Sequence, residues 1–372
     1  MSEERNMLAD SVAAFAGEGR GIARARQLSS EKSGLDRRVW SEMTDMGWLG
    51  MLVPESAGGL GLGAGDMAVV AEGLGTYCAP EPLIEVAFAQ AVLTRCNESS
   101  LSRELLQESA QGDRLIAVAW QDHANNAVAE DLPDDLEQGS LNGVRYLVHP
   151  AEAEVFIVAI RDDDGLSLYS LPRGRAGMKI REQTRTDGSI VLTLEFENVV
   201  VEDSDRLASG RNGEEALRYG LSVAHVAASA ELLGLASALF DMTTEFMATR
   251  KQFGQRLSAF QALRHRAVDL FIQRELMRNA LRQAVRSFDN DSGLVELQLA
   301  ASRAKARCAD AALVIGRQAV QLHGAIGYTE EANVGVYLRR VLSLAAWLGN
   351  AASQRKQYTR LSREQKMQGE RK

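Results

Sequence analysis

The chain is poor in the residues that build metal sites and disulfide frameworks: three cysteines and five histidines in 372 residues. Cys78, Cys96 and Cys308 are scattered, with no metal-ligand spacing and no even pairing, which points to free, buried or half-buried thiols in a reducing compartment. Histidine, cysteine and carboxylate nowhere cluster as a zinc site requires. A G-x-S-x-G nucleophile elbow is missing. Asp162-Asp163-Asp164-Gly165 lacks the alternating oxygen ligands of a calcium loop and reads as a solvated turn. No apolar run approaches the ~18 residues that span a bilayer, and the polar, acidic start is no signal peptide. A cytoplasmic protein is expected. The net charge of −8 argues against nucleic acid as the main partner. Internal repeats and low-complexity linkers are also missing.

What is there suffices for two or three domains: hydrophobic residues make up 45% of the chain. The periodicity changes twice along it. Residues 1–112 read as helical, with Trp40, Met43, Met46, Trp48 and Leu49 at near-helical spacing and another helix over Ala64 to Gly75. Between these helices, Gly59, Gly61 and Ala64 fit G-x-G-x-x-A. That fingerprint needs a strand before it and an acidic ribose ligand after it. Pro54-Glu-Ser-Ala57 precedes it instead, so a tight loop between helices is expected.

Residues 113–212 carry short apolar runs separated by Asp, Gly, Asn and Pro turns: Leu115–Trp120, Leu141–Val148, Val155–Ala159, Leu166–Leu171 and Ile190–Phe196. A small antiparallel β domain is expected. Residues 213–372 return to long helices: Glu214 to about Arg250, Ala259 to about Phe288, Gly293 to about Leu322, and a last one from Val334 with a break near Gly349. The fold class is thus α+β: N-terminal helices, a middle β domain and a C-terminal helical bundle.

Three stretches carry more than fold. Arg250-Lys-Gln-Phe-Gly254 falls where a long helix ends, and Gln261 follows eleven residues after Arg250. A guanidinium there can offer a planar fork to a pyrophosphate, although Arg250 and Lys251 could equally complement a helix C-terminus. Gln321-Leu-His-Gly324 opens a run through Tyr328, and Trp347-Leu348-Gly349-Asn350 closes the bundle. His323, inside that turn, reads as a structural histidine, as do His225 and His265.

In order and spacing these stretches resemble the flavin-dependent acyl-CoA dehydrogenases, and the resemblance covers nearly the whole chain. It implies α,β-dehydrogenation of an acyl-CoA thioester, FAD as cofactor, and an electron-transferring flavoprotein as electron acceptor. It also implies that Arg250, Gln252, Phe253, Gln261, Gln321 and Gly324 hold the FAD pyrophosphate and adenosine across a subunit interface. Ala325 replaces a usual second glycine. Other positions depart from the family. The loop after the first strand, Ala119 to Asn126, lacks the flavin-bonding hydroxyl at Ala119. The ring that flanks the flavin is Leu147 here, and the next hydroxyl is His149. The catalytic glutamate is Leu348, the threonine two places on is Asn350, and the alternative base position on the long helix is Ala224.

Groups the family turns toward its own flavin and substrate are changed. Groups it extends to a neighbour's cofactor remain. The chain resembles the smaller partner subunits of heteromeric acyl-CoA dehydrogenases, of the pimeloyl-CoA or steroid side-chain type, which implies a paralogous partner in a dimer or tetramer. Two alternatives stay open. One is a self-sufficient enzyme whose base has moved to Glu231, two helical turns after Ala224 on the same face; a plain structural role for Glu231 would have it bonded to Arg264, His265 or Arg266. The other is a non-catalytic interaction protein of the same fold.

Overall fold

The structure is a computed structural model and describes residues 3–31, 35–123, 132, 135–137 and 139–369. Six helices come first: α1 (Glu3–Ala16), α2 (Arg20–Glu31), α3 (Arg37–Asp45), α4 (Ala64–Thr76), α5 (Leu83–Leu93) and α6 (Ser100–Ala110). The glycine run before α4 is a loop, as its flanks predict. It follows a short 3-10 turn, Glu55–Ala57, and not a strand. A Cβ on Gly59 would lie 2.1 Å from the Val53 carbonyl oxygen, so only glycine fits that approach. Asp66 then accepts the Gly63 N–H at 3.1 Å and fixes the start of α4.

The middle segment holds β1 (Ile116–Ala119), β2 (Leu136–Glu137), β3 (Ser140–Val148), β4 (Val155–Asp162), β5 (Gly165–Pro172), β6 (Met178–Thr184), β7 (Ile190–Val200) and β8 (Arg206–Ala208). They form two four-stranded sheets, β1-β4-β5-β8 and β2-β3-β7-β6. The expected antiparallel β domain has one exception among these pairs: β1 lies parallel to β4, with Ile116 opposite Val155. The connection between these two strands includes β2 and β3 of the other sheet, and parallel neighbours need such a long crossover. Along β4 the side chains alternate between two cores. Val155, Ile157 and Ala159 face the helices, while Phe156, Val158 and Ile160 face the second sheet. Burial on both faces explains why the sequence there is an unbroken apolar run. Strand β6 has no such run; its polar residues are mostly exposed at the edge of its sheet.

The last segment is α7 (Gly210–Thr249), a short hairpin of β9 (Lys251–Gln252) and β10 (Gln255–Arg256), then α8 (Gln261–Asp289), α9 (Leu294–His323), α10 (Asn333–Ala346) and α11 (Ala351–Gly369). The break expected near Gly349 separates α10 from α11. By length and hydropathy an 18-residue window of α7 could cross a membrane, yet 83% of it is buried within the protein. Its apolarity is that of a central core helix.

Two glycines set how α7 crosses α4. A Cβ on Gly234 would lie 2.0 Å from the Glu72 carbonyl oxygen, and one on Gly75 would lie 2.2 Å from that of Glu231. The backbones therefore touch at this crossing with no side chain between them. Gly234→Val should cost about 1–3 kcal/mol through overpacking, read as a lower urea midpoint at unchanged slope. A Gly234→Val protein as stable as the parent would disprove the close crossing.

Candidate functional site

Phe246, near the end of α7, stacks on His323, at the end of α9, with ring centroids 4.4 Å apart. His323 also bonds the Ala319 carbonyl through Nδ1 at 2.8 Å, so its role is structural. This stacking brings the Arg250 and Gln321 stretches to the same end of the bundle. Arg250 ends α7, with its own carbonyl accepting the Leu257 N–H at 2.9 Å. Gln252 pairs with Gln255 across the hairpin. Phe253 at its tip is 90% exposed, with φ +53. Gln261 is the first residue of α8, Gln321 lies in the last turn of α9, and Gly324 follows α9 with φ +68. All six are exposed. Arg250, Gln252, Gln261 and Gln321 make no side-chain hydrogen bond among the described residues. They are donors and acceptors available to something outside this chain.

The other set lies inside. Leu348 is 2% exposed with φ +56, in the corner between α10 and α11. The main chain of this corner is held by three buried side chains. Gln354 Nε2 donates to the Leu348 carbonyl at 2.7 Å, and His225 Nε2 lies 3.1 Å from the same oxygen. Lys305 Nζ donates to the carbonyls of Leu344 at 3.1 Å, Ala345 at 3.2 Å and Gly349 at 3.5 Å. A buried ammonium is thus spent on the C-terminal carbonyls of α10. Asn350 caps α11, its Oδ1 accepting the N–H groups of Ala352 and Ser353 at 3.0 Å each.

Ala119 is buried at the end of β1, and Leu147 sits at φ +55; neither can bond a ligand through its side chain. His149 is taken up: its Nδ1 lies 3.0 Å from Glu85 Oε1 on α5. Burial pushes the Glu85 carboxyl up, and the His149 ring beside it more than reverses this, leaving it at about 2. The remainder of the loop after β1, Ala124 to Asn126, lies outside the described residues.

Glu231 does not use the helix expected. Arg264, His265 and Arg266 are exposed on α8, while Glu231 Oε1 accepts from Arg340 Nε of α10 at 2.6 Å. Arg340 Nη1 also reaches Asp187 Oδ2 at 3.3 Å, in the turn between β6 and β7. Burial raises the Glu231 carboxyl, against the opposing pull of Arg340. Asp187 is raised by burial and lowered more by Arg185 and Arg340, to about 2. Arg340 joins residues far apart in sequence, and Asp187 carries no local sequence signal.

Two openings adjoin these groups. An enclosed space of about 40 Å³ lies among Cys78, His149, Asp187 and Arg340. It takes a few waters. An open depression of about 260 Å³ is lined by Leu147, Thr184, Arg185, Ser343, Ala346 and Trp347. Toward FAD, the fit divides. The exposed set suits a dinucleotide held from outside, whereas Ala119, Leu147 and the engaged His149 do not suit a flavin ring within this chain's own crevice.

Two family models match the chain: the acyl-CoA dehydrogenase N-terminal domain over residues 2–113 and its C-terminal domain over residues 211–361. The chain belongs to the acyl-CoA dehydrogenase family. It is similar to acyl-CoA dehydrogenase IpdE2 of Mycolicibacterium smegmatis, 26% identical over 94% of this chain and 96% of that one. Acyl-CoA dehydrogenase FadE27 of Mycobacterium tuberculosis is 25% identical over 88% and 89%. Among solved structures, a variant of the Tcur3481-Tcur3483 steroid ACAD superposes with TM-score 0.87 at 26% identity, covering 98% of this chain and 99% of that one. A chain of the ChsE4-ChsE5 complex from Mycobacterium tuberculosis superposes with TM-score 0.87 at 24% identity over 97% of each.

The corner at Leu348 carries a pH signature. Burial and the nearby Lys305 charge push the His225 imidazole down to about 3, against the Leu348 carbonyl, which raises it. The unfolded chain takes up this proton near pH 6.5 and the native protein does not. The part of the stability tied to His225 is therefore complete above about pH 6.5 and falls by up to ~1.4 kcal/mol per pH unit as the pH drops toward 3. His225→Gln should make the urea-derived stability shallower in pH over this window by about one proton. An unchanged slope would show that the ring titrates normally.

Proposed function

We propose that this chain is an FAD-sharing subunit of a heteromeric acyl-CoA dehydrogenase, working in the cytoplasm with a paralogous partner that carries the catalytic base. The observation that carries the reading is the split between outward and inward groups. Arg250, Gln252, Phe253, Gln261, Gln321 and Gly324 face solvent at one end of the bundle. The inward positions hold Leu348, Leu147 and a buried His149 whose Nδ1 lies 3.0 Å from Glu85 Oε1. That a chain of this fold was solved within the ChsE4-ChsE5 complex supports a heteromeric arrangement.

In the composite site, bound FAD would take a hydride from the carbon two bonds from the thioester carbonyl, with an electron-transferring flavoprotein as final acceptor. This chain's part is binding and orientation. The Arg250 fork would pair with pyrophosphate oxygens, and Phe253 would offer a flat face to the adenine. The Gln261 and Gln321 amides would complete the donor set. Within its own crevice the chain supplies no base at position 348. Glu231, the relocated candidate, already has its Oε1 occupied by Arg340 Nε at 2.6 Å.

Arg250→Ala should lower the flavin retained by the co-purified heteromer, since a charge-assisted pair of about 1.5–3 kcal/mol is lost. Unchanged flavin content would remove Arg250 from the cofactor site.

Glu231→Gln should leave turnover of the heteromer within about tenfold while lowering its thermal midpoint. A fall of ~10² or more in turnover at unchanged stability would make Glu231 the base. Leu348→Glu in the partner-free chain should not restore flavin bleaching by any acyl-CoA, because restored chemistry needs the ring held to within about an ångström. Bleaching after that single change would show that only the base was lost.

A further inference from the structure

The turn after α9 is held by a side chain from the other end of the chain. Arg26 of α2 donates through Nη1 to the Glu330 carbonyl at 2.6 Å and through Nη2 to Asn333 Oδ1 at 2.9 Å. The two acceptors bracket the end of the turn, where α10 starts at Asn333. A planar guanidinium meets both at once, a fork that a single ammonium does not reproduce.

The turn's own contacts are local. Gly324–Tyr328 is a 3-10 stretch that returns onto α9, where a Cβ on Gly327 would lie 2.8 Å from the Val320 carbonyl oxygen. Beyond it, the Thr329 N–H and Oγ1 donate to the Ile326 carbonyl at 3.0 and 2.8 Å, and the Ala332 N–H donates to the Thr329 carbonyl at 3.3 Å. Ile326 and Tyr328 are 47% and 80% exposed, so neither packs the turn down. Helix α2, in contrast, is anchored. A Cβ on Gly21 would lie 2.5 Å from the carbonyl oxygen of Tyr77, the residue that ends α4, so the helix rests directly on that backbone. Arg24 Nε also donates to Glu81 Oε1 at 2.5 Å. Arg24 and Arg26 are two residues apart, about 200° round the helix. One side of α2 thus binds the N-terminal segment, and the other reaches across to the Gln321 end of the bundle.

We infer that Arg26 is a positioning residue for cofactor binding, holding in place the turn that begins at Gly324 and follows Gln321. This rests on the flavin-sharing reading above and adds to it a residue outside the cofactor set, from the N-terminal segment. Without the fork the turn samples other positions. The apparent dissociation constant then rises by the inverse of the fraction of time the turn is in place. The ligand must supply the ordering that Arg26 supplies in advance.

The test titrates FAD into the flavin-stripped heteromer, read by flavin fluorescence. Arg26→Ala should raise the dissociation constant about tenfold, as for a turn in place one tenth of the time. Asn333→Ala removes one arm of the fork and should raise it less. The double variant should be no worse than Arg26→Ala alone, because the two residues act as one pair. Arg24→Ala breaks the other anchor of the same helix; it should lower the urea midpoint and leave FAD affinity within about twofold, as for an independent site. Unchanged affinity in Arg26→Ala overturns the proposal. An equal loss in Arg24→Ala also overturns it, since the effect would then be general loosening of α2, and so does an additive loss in the double variant. Arg250→Ala, titrated in parallel, separates this role from the reading beneath it. If Arg250→Ala leaves FAD affinity unchanged, the cofactor reading falls and this proposal with it. If Arg250→Ala weakens FAD and Arg26→Ala does not, the cofactor site stands and the positioning role alone is wrong.

Discussion

Arg340 is the interior charge that ties the middle segment to the C-terminal bundle. It is 7% exposed and meets Glu231 from α7 and Asp187 from the turn between β6 and β7. Removing a guanidinium and two carboxylates from water costs several kcal/mol per ion, and such a group is tolerable only when every member is present. The network therefore specifies a register more than it adds stability. Its geometry starts at the glycine crossing. Because Gly75 lets the Glu231 backbone rest on α4, that residue's side chain is left to the α10 side, where Arg340 waits. The Glu85–His149 pair ties α5 to the segment after β3 in the same way.

Much of the fold is legible from period alone. The long helices of the last segment begin and end within a few residues of where alanine density, proline absence and glycine punctuation place them. Strand β6 is not legible, since Met178–Thr184 is polar and becomes a strand only because β7 offers it an edge. The parallel β1–β4 pair is not legible either, because two short apolar runs carry no sign of relative direction. The site divides along the same line. Buried partners such as Glu231 and Arg340 lie 109 residues apart, and no local pattern links them. The exposed residues around Arg250 and Gln321 have no packing signature at all. They stand out only through the motif they share with a family.

Keeping an exposed group and keeping a buried one answer to different physics. Arg250, Gln252, Gln261 and Gln321 contribute almost nothing to folding, and Phe253 at 90% exposure is an apolar surface better covered than bare. On the proposed reading a ligand or partner covers them. The inward positions need no such cover. Leu348, Leu147 and Ala119 behave as ordinary core or corner residues. Asn350 behaves as a helix cap, and His225, Lys305 and Gln354 are consumed in holding main-chain carbonyls.

That difference has a stoichiometric consequence under the shared-cofactor reading. A site assembled across two chains needs an outward half from one and an inward half from the other. Two copies of this chain would present two outward halves and two altered inward halves, and neither site would be complete. Paired with a chain that keeps its inward half, the same surface completes one site. The opposite site still faces Leu348 and the His149–Glu85 pair. One flavin per pair is then, on that reading, a geometric outcome of where the substitutions lie.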